Sequence, residues 1–447
     1  MKDVMKMRIV VPVLLSMMAS MAYGQAVPSG ASTPISSIGS SPVLPSLDGI
    51  FHYDLSASEA IQYGYYGAGV VTHSTILSAD AAYTGKSEVL PFNLVFAGGA
   101  ILANQQEQGN SGYVSGTISQ GLITRRWSFH ISDSLSFLPQ SPTVGLSGIP
   151  GTGDLGSDPV VSPVQGPAGG IFSNAGNRVA NSLTGSVERQ ISRDTSISGT
   201  GSWSILHFLD DSDVNGGLDS EQVSGSVALN QRLDARSSVS VSAVYSTFNY
   251  SGLDAGVNAP DIESRGLNVG YQRLLSRSLS VSLSAGPQWI SSSDSTIIPS
   301  SLNVAATAAL SYTRGLTYAT VAYAHGVNAG SGVLLGAVSD SIFASAGHNY
   351  GRNWVASLNA GYSHSSGLEQ VIVSGTPVPA NDIYNSVFGG VQLRRRIGNH
   401  FSGYVSYSAQ NQSGSIPLAG QNALNGTSQT FGVGITFTPR LTRLGQF

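Results

Sequence analysis

One pattern dominates this 447-residue sequence: from about residue 50 onward, apolar and small polar residues alternate with a period of two. Val239, Val241, Ala243 and Tyr245 alternate with serines. Leu279, Val281, Leu283 and Ala285 do the same and lead to Trp289, and the pattern returns in Leu302–Tyr312, Trp354–Tyr362 and Phe431–Phe437. Successive side chains of a strand point to opposite faces. Each run therefore has one apolar face and one face of Ser, Thr, Asn, Gln or Gly. A 3.6-residue period is nowhere sustained, and no later stretch approaches the length of an apolar helix that spans a membrane. About eighteen such runs are present, most of about 9–13 residues, and 9–11 tilted residues suffice to cross a bilayer.

The connections alternate too. Short turns lie at 192–194, 234–236, 276–278, 314–315, 351–352 and 398–399. Long loops lie at 138–178, 209–221, 250–264, 292–301, 326–337, 365–381 and 411–428. Arginine collects at the short turns, with Arg125, Arg126, Arg394, Arg395 and Arg396 nearby, and Asp and Glu collect in the long loops. Trp127 and Trp354 stand beside short turns, and Trp289, Tyr245 and Tyr362 stand nearer long loops. Amphipathic rings favour membrane–water interfaces, so two girdles are expected. Trp203, in mid-strand, fits neither. The soluble alternatives fare worse. A propeller blade needs four short strands per repeat, and the coils of a β-solenoid have no alternation of connection length.

Composition narrows the function classes. Charged residues make up 10%, against roughly 25% in soluble domains, and the formal net charge is −4. No basic field is present to hold nucleic acid. The absence of Cys excludes disulfides, thiolate zinc sites, a Cys nucleophile and a lipidated N-terminal Cys. Residues 1–24 read as a cleaved secretory signal: Lys2, Lys6 and Arg8, an apolar stretch Ile9–Ala19, then Ala22-Tyr23-Gly24. Residues 25–49 are a Pro/Ser/Gly-rich leader, 50–438 the strand region, and 439–447 a tail.

Signal segment, alternating runs, alternating loop lengths and a last strand ending in Phe437 resemble the bacterial outer-membrane β-barrels of the porin-like class. The resemblance covers residues 50–438 and is architectural. It implies an all-β fold, a single transmembrane antiparallel barrel of about 16–18 strands with short periplasmic turns and long outer loops. It also implies the outer membrane of a Gram-negative envelope, contact with outer-membrane lipids, and handling by periplasmic chaperones and the barrel-assembly machinery. That machinery reads a final strand ending in an aromatic residue. Here Pro439–Phe447 follow the strand, so Phe437 and Phe447 both qualify.

Three segments could carry chemistry. Segment 138–178 is rich in Pro and Gly and joins the fifth and sixth runs, where porins fold a constriction loop into the lumen. It is either that or a plain outer loop. Residues 211–222 resemble a calcium loop, with Asp211, Asp213, Asn215, Asp219 and Glu221 as oxygen donors and Gly216 at the turn. Gln222 stands where a bidentate carboxylate belongs, and an acidic solvated loop is the other reading. His207 beside Asp210 and Asp211 resembles the catalytic rim of outer-membrane proteases, but it shares parity with Trp203 and Ile205 and is expected at the lipid interface. No Walker loop, zincin or nucleophile-elbow motif is present, so no enzyme and no required cofactor are expected.

Lumen-facing charges are few: Asp80, His130, Glu188 and Arg394. Without a charge ring, the expected function is a passive, weakly selective diffusion channel for small hydrophilic solutes. The small side chains of the lumen face point to a loosely filled interior. The alternative is a structural or adhesion barrel with a closed lumen whose outer loops bind Ca2+ or polysaccharide.

Overall fold

A computed structural model of the chain describes residues 50–443, apart from 65–69, 86, 88, 104–109, 139–176, 210–217, 252–259, 331–332, 352, 374–375, 381, 415–425 and 440–441. The signal and leader segments, most of 138–178, and Asp211, Asp213 and Asn215 lie outside the described residues.

Twenty-one strands are described. The first five are β1 (Ile50–Tyr63), β2 (Val71–Thr84), β3 (Phe92–Ala103), β4 (Ser111–Ile123) and β5 (Trp127–Leu138). Next come β6 (Arg178–Gln190), β7 (Thr195–Phe208), β8 (Asp219–Arg232), β9 (Ser237–Ser251) and β10 (Ile262–Ser276). They are followed by β11 (Leu279–Ser292), β12 (Ser301–Arg314), β13 (Thr317–Asn328), β14 (Ala337–Tyr350) and β15 (Trp354–Gly367). A small separate hairpin, β16 (Gln370–Val373) and β17 (Thr376–Pro379), precedes β18 (Ile383–Ile397), β19 (Phe401–Gly414), β20 (Gly426–Phe437) and β21 (Thr442–Arg443).

Eighteen of these, β1–β15 and β18–β20, pair antiparallel with their neighbours, and β20 returns to pair with β1 from Leu55↔Phe437 to Tyr63↔Gln429. The sheet is closed. Closure matters because no backbone N–H or C=O can go unpaired in hydrocarbon. Past the last barrel strand, β21 turns back onto the start of β1, with Ile50↔Arg443 and Phe51↔Thr442 paired. Part of the expected tail thus joins the sheet.

Several strands run longer than the hydropathy alternation suggests. The hydropathy alternation marks only 50–58 and 76–84 in the first hairpin, whereas β1 reaches Tyr63 and β2 begins at Val71. The additional outward positions mix polar and apolar residues: Glu59 accepts a hydrogen bond from Thr75 Oγ1 at 2.7 Å across the pair, and Ile61, Tyr63 and Val71 are exposed beyond it. Short hairpins close with a left-handed glycine, as at Gly315 (φ 59°) and Gly398 (φ 77°), a conformation open to glycine at little cost.

Glycine has a different use on the lumen face. Five inward aromatic rings each lie over the glycine directly opposite on the next strand: Tyr113 over Gly99, Tyr318 over Gly347, Phe388 over Gly361, Tyr384 over Gly414 and Tyr404 over Gly434. A Cβ at Gly347 would stand 2.2 Å from the Tyr318 ring, and one at Gly361 would stand 2.3 Å from Phe388. Glycine-rich strands here make room for rings, so along this part of the wall the interior is filled rather than loose.

Candidate functional site

Along β15, the outward residues Trp354, Ala356, Leu358, Ala360 and Tyr362 span an apolar band bounded by aromatics. Eight residue steps at about 3.3 Å, tilted about 40°, give a height of about 20 Å. Large apolar side chains are exposed on the same face of every barrel strand, including Leu267, Val304, Leu358 and Ile435, each above 50%. A closed barrel with that exterior has hydrocarbon for its solvent. All six interface aromatics expected from the sequence face outward. At the short-turn rim, Arg189 sits 5.1 Å over the Trp127 ring and Arg395 sits 5.1 Å over Trp354, while Phe437 packs 5.2 Å from Phe401. Trp289 lies toward the long-loop end and Tyr245 and Tyr362 a little past mid-strand, all about 40–44% exposed.

The long-loop end carries a ring of outward polar pairs bonded across strands. Asn181 donates to Asp133 at 2.7 Å, Arg265 pairs with Glu263 at 2.7 Å, and Tyr323 and His325 both reach Asp340. Trp203 finds its place here: its indole N–H donates to Glu221 Oε1 at 2.7 Å. His207 Nδ1 meets Asp219 Oδ2 at 2.5 Å, and Asp219 Oδ1 accepts the Phe208 N–H. Thus two calcium-loop candidates, Asp219 and Glu221, are strand residues with protein partners on the outward face. His207 stands on the outward face beside Asp219.

The lumen has two unlike walls. Along β1, β2 and β20 most inward polar side chains are closed to solvent, as are those toward the long-loop ends of β15, β18 and β19, whereas Ser357, Asn359, Gln392 and Ser406 nearer the short-turn ends of those three strands are half-buried. Asp54, Ser58, Gln62, Ser365, Ser386, Gln410 and Thr436 are all at most 6% exposed. Asp80 and Arg394 belong to this wall. Asp54, which the sequence reading missed, is the register partner of Asp80 and hydrogen-bonds with it; Arg394 lies within electrostatic range of Asp54 and is itself paired with Tyr404. Along β5, β6, β11 and β12 the lumen face is more accessible, with His130, Ser186, Glu188 and Asn303 partly or fully exposed, while β7 and β8 mix the half-buried Thr200 and Ser226 with the buried Ser196, Ser204, Gln222 and Asn230. His130 and Glu188 stand on adjacent strands of this wall, near the short-turn end. The four lumen candidates are therefore split two and two.

The outer mouth is narrowed by loops that read as plain surface in the sequence. Ile297 and Ile298 from the β11–β12 loop, Leu335 from the β13–β14 loop and Leu368 after β15 pack onto the lumen-facing Phe248, Ile262 and Ile290. Ile262 and Ile298 are fully buried. Two backbone bonds and one to a side chain tie the three loops together. Gln370 N–H donates to Ile297 O at 2.8 Å, Leu368 N–H to Gly336 O at 3.2 Å, and Leu335 N–H to Glu369 Oε1 at 2.9 Å. Gly336 (φ 75°) approaches Ile262 so closely that a Cβ would stand 2.6 Å from its Cδ1. Burial pushes the carboxyl groups of Glu369 and Asp382 upward from the ordinary carboxylate range, and Asp382 adds to the shift of Glu369 by like charge.

No protein-family model and no curated protein matches the sequence. Solved structures resemble it in fold. Pseudomonas aeruginosa OpdK, solved with vanillate, is 7% identical over 87% of this chain and 98% of that one, with a TM-score of 0.40. Pseudomonas aeruginosa OccK2 (OpdF) in complex with glucuronate is 11% identical over 87% and 98%, with a TM-score of 0.38. The FrpB iron transporter of Neisseria meningitidis is 7% identical over 88% and 82%, with a TM-score of 0.41. At that level none of their ligands transfers to this chain. The chain's own geometry, eighteen closed antiparallel strands with a hydrocarbon-facing exterior, short turns on one rim and long loops on the other, is that of an outer-membrane β-barrel.

Proposed function

We propose that the protein is a passive, weakly selective channel for small hydrophilic solutes, and that solute moves along the accessible wall formed by β5–β8 and β11–β12. The observation that supports this most is the pairing of a hydrocarbon-facing exterior with a lumen face of exposed hydroxyl, amide and glycine positions. Such a surface binds water and small polar solutes without strong preference, and Glu188 and His130 stand there singly rather than in a ring of charge. The outer cap supplies the constriction, whatever segment 138–178 contributes. No catalytic step is assigned to the protein.

A second reading has its own support. The closed wall and the cap fill part of the interior, as a structural or adhesion barrel with a sealed lumen would require. The two readings separate on unitary conductance of the refolded barrel in a planar bilayer. Insertion would follow the route of other such barrels, with β20 and its outward Phe437 presented to the assembly machinery.

A further inference from the structure

The lipid-facing exterior is not uniformly covered. At mid-height on β6, β7 and β8, three glycines stand in one register row, Gly185↔Gly201↔Gly225, bounded by Ile131 on β5 and Tyr245 on β9. They line an apolar groove of about 1000 Å³. Interior packing does not demand glycine there. A Cβ at Gly185 would meet nothing within 4 Å, and at Gly201 and Gly225 only a backbone oxygen at 4.0 and 3.9 Å. That contrasts with Gly347 or Gly361, where a ring occupies the space. Glycine inside a strand weakens it, so this row gives up stability and leaves a depression open to the membrane.

Directly below the groove, the short-turn rim is basic. Arg125, Arg126, Arg189, Arg193, Arg236 and Arg273 are all exposed there. Arg189 lies four residues from Gly185 on the same face of β6, about 13 Å along the strand. The carboxylates nearby are Glu188, which faces the lumen, Asp194, and Asp234, which already accepts the N–H groups of Arg236 and Ser237. Among the described residues none of these arginines forms a salt bridge.

We infer that this face holds an anionic phospholipid of the periplasmic leaflet, with an acyl chain lying in the glycine groove and the phosphate at the arginine rim. Charge complementarity selects the occupant. A second copy of the chain, related by an axis along the membrane normal, would set the two arginine rims at the same height and repel itself. The site does not depend on whether the lumen conducts.

Native mass spectrometry of the detergent-refolded mature chain, titrated with phosphatidylglycerol or phosphatidylcholine, tests it. One phosphatidylglycerol retained at least tenfold more tightly than phosphatidylcholine is the expected result. Gly201→Leu, whose side chain enters open space and leaves the fold intact by heat-dependent gel shift, lowers that retention about tenfold. Arg189→Gln with Arg193→Gln removes the preference between the two lipids and provides an independent test should Gly201→Leu fail to fold. Equal retention of both lipids, or retention unchanged by both variants, overturns the proposal. So does a wild-type dimer that Gly201→Leu abolishes, since it would make the groove an interface between copies.

Discussion

Tyr404 lies flat across Gly434, its register partner on the next strand, so closely that a Cβ on the glycine would stand 2.6 Å from the ring and 2.7 Å from Ser58 Cβ. The ring is 3% exposed, and it locks β19 to β20 beside the seam where β20 meets β1. The register there is fixed by shape as well as by the backbone ladder, since a slip of one residue would drive the ring into a side chain. Gly434→Val is therefore expected to destabilise the folded barrel by about 1–3 kcal/mol. In a Tyr404→Ala background the loss should shrink, leaving a coupling of about 1 kcal/mol in a double-mutant cycle of urea unfolding in lipid vesicles. Additive losses would contradict the lock.

The split lumen makes a selectivity prediction. Glu188→Gln on the accessible wall should lower the cation-to-anion permeability ratio by about twofold, and His130→Asp should raise it, both read as reversal potentials under a salt gradient. Asp80→Asn on the closed wall should leave the ratio unchanged. An effect of Asp80→Asn equal to that of Glu188→Gln would place the path on the wrong wall.

The outer cap should respond to pH. The folded cap holds the protons of Glu369 and Asp382 more tightly than an unfolded loop does. Their contribution is thus fully present below the ordinary carboxylate value of about 4 and is lost as pH rises through the raised values. Tyr250 and Tyr384 are the other titratable groups in electrostatic contact with this pair. Hydrogen exchange at the Leu335 and Gln370 amides, corrected for intrinsic chemistry, should therefore quicken above that range. Glu369→Gln should flatten the dependence, and an exchange rate indifferent to both pH and Glu369→Gln would count against the clasp.

At the outer interface, Trp203→Phe keeps the ring and removes the N–H that Glu221 accepts, stranding a carboxylate toward lipid. A loss of about 1–2 kcal/mol in folding stability is expected, mostly recovered in Trp203→Phe with Glu221→Gln. Equal stability of the single variant and wild type would show that the bond is solvated.

The barrel was legible because its period is written residue by residue: Trp354 to Tyr362 alone show which side meets lipid. The outward Trp127 and Trp289 could be placed for the same reason. What escaped notice depends on register, which alternation does not encode. Asp54 gains meaning only once it is paired with Asp80, and Gly434 reads as flexibility until Tyr404 is set across from it. Trp203 was unexplained without Glu221, whose own strand begins earlier than its hydropathy suggests. The cap is the largest miss. Ile297, Leu335 and Leu368 sit in polar loops with no period, and their burial arises from three distant segments meeting over Phe248 and Ile262.

Single-channel recording of the refolded mature chain in a planar bilayer tests the channel reading most directly. A water-lined path along β5–β8 and β11–β12 predicts steady unitary steps, enlarged when the cap is loosened by Ile298→Ser with Leu368→Ser. A folded barrel that shifts with heat on a gel but passes no current, with or without those substitutions, would contradict it and move the function to the outer loops.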